Sequence, residues 1–78
     1  MEPLAAQVRS ARRRVKMSQD KLAALTTMTK GTIQNLEMGR TENPSIGALM
    51  KIIWTLKVPL EFEYGGKRFV LKLDGVAK

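Results

Sequence analysis

The sequence predicts a mainly α domain of four short helices followed by a C-terminal β-hairpin. Three observations predict it. Apolar residues recur every three or four positions in separate runs up to Leu56, the spacing of helices with one buried face. Helix-start and helix-stop residues fall between those runs. After Pro59 the period changes to two, and a Gly65-Gly66 pair divides the alternating run, as in two strands joined by a tight turn. The chain therefore divides into a helical part over 1–58, a hairpin over 59–73 and a frayed tail over 74–78.

The first helix is expected over residues 4–16. Leu4, Val8, Ala11 and Val15 share a face, and Pro3 suits a first turn, where its missing N–H has no helical acceptor to lose. Arg9, Arg12, Arg13 and Arg14 crowd the same segment. Arg9 and Arg13 read as a solvated face, whereas Arg12 falls near the Val8–Ala11–Val15 stripe and leans inward.

Ser18 to Gly39 reads as two helices around a turn. Ser18 is a good N-cap, and Asp20 places negative charge at the positive helix start. Leu22 and Leu25 are three apart, and Ala23 lets a neighbour come close. The pattern breaks at Thr26-Thr27, Thr29 offers a second N-cap, and Ile33 with Leu36 restores the three-residue spacing before Gly39 stops the helix. This leaves an outward face of Lys30, Gly31, Gln34, Asn35 and Met38, with donors and acceptors and no carboxylate.

Residues 40–44 form a polar loop in which Pro44 turns Asn43 away from helix. Ser45 then caps a fourth helix with Ile46, Leu49, Ile53 and Leu56 as its inner stripe and Ile52 beside it. Met50 and Trp54, four apart, either cover a gap in the core or form a partner surface.

In the hairpin, pairing about Gly65-Gly66 sets Tyr64 opposite Lys67, Glu63 opposite Arg68, Phe62 opposite Phe69 and Leu60 opposite Leu71. Leu60, Phe62, Phe69, Leu71 and Leu73 then share one face. Glu61, Glu63, Arg68 and Lys72 lie on the other with complementary signs, each cross-strand pair contributing about 0.2–1 kcal/mol. A lone hairpin is marginal in water, so this one must dock, either on the helices of its own chain or on a second chain.

Seventy-eight residues make one small domain. There is no Cys and no His, which removes disulfides, thiolate metal sites and the commonest catalytic base. The carboxylates Glu2, Asp20, Glu37, Glu42, Glu61, Glu63 and Asp74 are scattered, without metal-ligand spacing. No catalytic residue, metal site or cofactor is expected. No run reaches membrane-spanning length and no signal peptide is visible, so a cytoplasmic protein is expected. Fourteen Lys and Arg against seven Asp and Glu give a formal charge of +7, which favours a polyanionic partner. Few exposed aromatics argue against single-stranded RNA.

Gln19, Leu22, Ala23, Ile33, Leu36, Glu37, Gly39 and Pro44 together resemble the Xre-like helix-turn-helix family, the lambdoid phage repressors and Cro proteins, over roughly residues 4–58. One departure is Thr27, where the family usually has Gly; a β-branched residue disfavours the positive φ that such a turn uses. The resemblance implies a four-helix helix-turn-helix DNA-binding domain whose second motif helix, 30–38, enters the major groove. It implies Gln19 as a phosphate contact and Lys30, Gly31, Gln34 and Asn35 as base-facing positions; Thr29, Thr32, Arg40 and Asn43 are further candidate DNA contacts. Arg14 and Lys16 are additional candidates for phosphate. It also implies a buried clamp between Arg12 and Glu37.

The expected function is a sequence-specific DNA-binding transcriptional regulator, a dimeric repressor reading a palindromic operator in double-stranded DNA. Trp54, Leu60, Phe62, Tyr64, Phe69 and Leu71 are the candidate homodimer contacts. The alternative is an antitoxin or phage factor whose main role is to bind a toxin or other protein partner; a C-terminal strand building an intersubunit sheet resembles HipB-type antitoxins.

Overall fold

The computed structural model describes residues 3–40, 45–72 and 75–77, apart from the side chains of residues 64 and 75–77. Among these, α1 (Leu4–Arg14), α2 (Gln19–Leu25), α3 (Lys30–Glu37) and α4 (Ile46–Leu56) precede β1 (Leu60–Tyr64), β2 (Lys67–Lys72) and β3 (Gly75–Ala77). The fold class is the expected one, mainly helical with a C-terminal hairpin. Asn43 and Pro44 lie outside the described residues, as does Leu73.

Hydroxyl caps start three helices. Ser18 Oγ accepts from Lys21 N at 3.0 Å, Thr29 Oγ1 from Thr32 N at 3.1 Å and Ser45 Oγ from Ala48 N at 3.1 Å. Each satisfies a main-chain donor that the helix leaves unpaired, a contribution of about 1 kcal/mol. The ends of α1, α2 and α3 share one geometry. After each, a residue in the left-handed region turns the chain: Lys16 (φ 57°), Thr27 (φ 56°) and Gly39 (φ 72°). In each, that residue's N–H bonds back three positions and the next residue's N–H bonds back five. After α2 these are Thr27 N to Ala24 O at 3.3 Å and Met28 N to Ala23 O at 2.9 Å, which is the Schellman arrangement. Met17 and Met28, the residues just past two of these turns, pack half-buried on the core.

These terminations correct the sequence reading in detail. The first helix stops at Arg14 rather than residue 16 because Lys16 leaves helical geometry, and Val15 is 48% exposed instead of inward. Ile46, the first residue of α4, projects beyond the core and is 55% exposed. The core comprises Val8 and Ala11 of α1, Leu22 and Ala23 of α2, Ile33 and Leu36 of α3, Leu49, Ile52, Ile53 and Leu56 of α4, and Leu60 and Leu71 of the strands.

The strands form an antiparallel sheet in the order β1-β2-β3. The hairpin register is Leu60↔Leu71, Phe62↔Phe69, Glu63↔Arg68 and Tyr64↔Lys67, as the two-glycine turn dictates. Residues 75–77, expected in a frayed tail, instead pair with β2 as a third strand, Leu71 opposite Val76. Three residues are too few to display alternation, and the main-chain groups of β2 reward pairing all the same.

The sheet docks on its own chain. Leu60 and Leu71 are fully buried there, so neither is available as a dimer contact; the candidates are corrected accordingly. Phe62 and Phe69, half-buried, stack with ring centroids 5.6 Å apart. Gln7 of α1 completes the attachment: its Nε2 donates to Glu61 O at 2.8 Å, and its Oε1 accepts from Glu61 N at 2.7 Å. The helix side chain thus takes the place of a strand neighbour at that point of β1.

Candidate nucleic-acid interface

The periodicity of α3 divides it cleanly. Ile33, Leu36 and Glu37 are buried against the rest of the domain, while Lys30, Gly31, Gln34, Asn35 and Met38 are exposed. Thr29 and Thr32 are exposed at its start, with their hydroxyls 2.9 Å apart, and Arg40 is exposed just past its end. These candidate contacts lie along one open rod and its two ends, whereas Gln19 lies on α2. Gly31 stands open: among the described residues a Cβ there would meet only Thr29 Oγ1, at 3.9 Å.

The buried face is fixed by a polar bracket as well as by Ile33 and Leu36. Arg12 donates from Nε to Glu37 Oε2 at 2.6 Å and from Nη2 to Oε1 at 2.8 Å. Its Nη1 donates to Met17 O at 2.8 Å. Gln19 Nε2 donates to Glu37 Oε1 at 3.2 Å. The start of α2 and the end of α1 are thereby joined to the last turn of α3. Burial alone pushes the Glu37 carboxyl up. The hydrogen bonds from Arg12 and Gln19, with the charges of Arg12 and Arg13, outweigh it and hold the group below its ordinary value. The hydrogen bond to Glu37 raises the Arg12 guanidinium against the opposing effect of burial.

Some placements were not readable from the sequence. Arg9, expected to be solvated, is half-buried and reaches Glu37 O with Nη1 at 3.4 Å, where a cation suits the helix C-terminus. Gln19 is half-buried, its amide engaged with Glu37. Lys30 Nζ lies 3.6 Å from Asp20 Oδ2, a pair from two different helices that no local spacing announces. Trp54 is 56% exposed on α4, so it does not fill a core gap; Met50 is half-buried against the core.

Residues 8–62 match the helix-turn-helix family HTH_3. The chain belongs to that family. No curated protein sequence matches it. Two solved structures resemble this helix-turn-helix domain, each with a TM-score of 0.69 and 25% identity over 72% of the chain. One is the SinR protein–SinI protein complex, of whose matched chain this one spans 54%, about half the length. The other is SinR, described as the master regulator for biofilm formation, in complex with DNA, with 89% of that chain covered. The family match ends at Phe62, so β2 and β3 lie beyond the part of the helix-turn-helix domain that it covers.

Proposed function

We propose that this chain is a DNA-binding transcriptional regulator, a dimeric cytoplasmic repressor that reads a palindromic operator with α3 in the major groove. The observation that carries the reading is the division of α3: a polar outward face without carboxylates, held from behind by Ile33, Leu36 and the Arg12–Glu37 bracket. Such a helix offers side chains to base edges while its own position is fixed. Family membership and the likeness to SinR, solved on DNA, support it. In this reading Lys30 donates to guanine O6 or N7, and Gln34 or Asn35 bonds adenine. Thr29, Thr32 and Arg40 hold phosphate, and Gln19 joins them through the positions its amide leaves open.

Two-fold pairing places two such helices about 34 Å apart or a multiple of that. Trp54 is the surface residue we assign to this pairing, with Phe62 and Phe69 as flanking candidates. Selection from randomised duplexes, read for sequence and symmetry, tests the reading. A symmetric enriched site supports it, and no enrichment over bulk duplex rejects it. Exposed Trp54 also supports a second reading, in which the surface of α4 receives a protein partner such as a toxin; SinR itself has been solved with SinI.

A further inference from the structure

We propose that Asp20 is an internal competitor for Lys30 that weakens the grip of α3 on DNA. This rests on the DNA reading above and concerns how that site is tempered. Lys30 is the first residue of α3, and no acidic residue lies in the first turn of that helix. A cation is poorly placed there, at the positive end of the helix dipole. Asp20 comes from the first turn of α2 and puts its carboxylate 3.6 Å from Lys30 Nζ.

Among the described residues the ion pairs are Arg12–Glu37 and Lys30–Asp20, and they differ in kind. The first is shielded, with side chains 11% and 3% exposed; the second is open, with side chains 51% and 72% exposed. An open pair is weak and readily exchanged. Asp20 therefore occupies Lys30 with the same chemistry that a phosphate or a guanine acceptor offers. When a duplex arrives, Lys30 exchanges one acceptor for another. That exchange breaks the Lys30–Asp20 pair, so part of what Lys30 gains on DNA is lost in the unaltered chain.

The test is fluorescence anisotropy of the full chain on a labelled duplex of mixed sequence, over a series of salt concentrations. Asp20→Asn is expected to tighten binding about two- to fivefold, the range an exposed pair allows. The gain should shrink as salt rises, because salt screens an exposed pair. In a Lys30→Ala chain the same change should lose most of that tightening. Melting curves confirm that each variant is folded. An unresponsive Asp20→Asn overturns the inference, and so does an equal effect with and without Lys30, which would make Asp20 a matter of net charge. If the unaltered chain binds no duplex at all, the DNA reading fails and takes this inference with it; binding that ignores Asp20 sinks the inference alone.

Discussion

Arg12 holds Glu37 by two parallel hydrogen bonds, at 2.6 and 2.8 Å, joining α1 to the last turn of α3. The pair is nearly sealed from water, so its halves depend on each other. Arg12→Ala or Glu37→Ala leaves an uncompensated buried charge and is expected to cost about 3–5 kcal/mol. The double change Arg12→Met with Glu37→Leu should recover most of that loss, because the charges leave together. Urea unfolding of the three variants measures both. Equal loss in the double variant would mean that the bracket contributes net stability rather than mutual dependence.

The same pair sets an acid limb. The Glu37 carboxyl sits below its ordinary value of 4.5 in the folded chain, so the folded state holds its proton less tightly than the unfolded chain. Its stabilisation is complete above pH 4.5 and fades as the pH falls through the lowered folded value. Urea midpoints measured from neutral pH downward should show this decline, and Glu37→Gln should flatten it.

Thr27 occupies a left-handed turn that suits Gly better. The β-branched side chain at φ 56° is strained by about 1–2 kcal/mol. Part of that is offset where its hydroxyl donates to Thr26 O at 2.6 Å and accepts from Lys51 Nζ at 3.3 Å. Thr27→Gly is expected to raise stability by about 1 kcal/mol in thermal melts. A loss would show that those two hydrogen bonds outweigh the backbone strain.

Gly31 should separate stability from binding. A methyl group at this open position removes the helical penalty of glycine, about 1 kcal/mol in a helix interior and less at the second residue of α3. If α3 lies against bases, the same methyl group stands between the helix and the groove. Gly31→Ala is expected to melt higher and bind DNA more weakly; melting and binding that rise together would place this surface away from the duplex.

Leu71 and Trp54 should respond in opposite ways. Leu71 is fully buried, and Leu71→Ala is expected to cost about 2–5 kcal/mol. Trp54 is mostly exposed, and Trp54→Ala should shift monomer stability by about 0.5 kcal/mol or less, yet sediment as a monomer and bind the operator more weakly. A dimer that survives that change would move the pairing surface elsewhere.

Much of the fold was legible because local rules agreed. The hydroxyl caps at Ser18, Thr29 and Ser45, the inward spacing of Ile33 and Leu36, and the two-residue turn at Gly65-Gly66 each announce one element from its own residues. The outward direction of Lys30, Gly31, Gln34 and Asn35 follows from the same spacing. The failures arose where one element meets another. Alternation placed Leu60 and Leu71 on a shared face but could not say that their own helices cover it. Asp20 with Lys30, Arg9 with the end of α3, and Gln7 with Glu61, 54 residues apart, depend on how separate elements are set in space. Val15 and Ile46 failed at element ends, where a helical period no longer predicts direction.

The grip of Gln7 on Glu61 has a consequence for how the protein behaves when concentrated. The rim of a sheet is a template on which a stray chain can extend into a fibril. Here the amide of a glutamine, drawn from a helix, mimics an adjoining peptide group and occupies that rim on both its donor and its acceptor side. At Glu61 that edge is closed to a stray chain by one uncharged side chain.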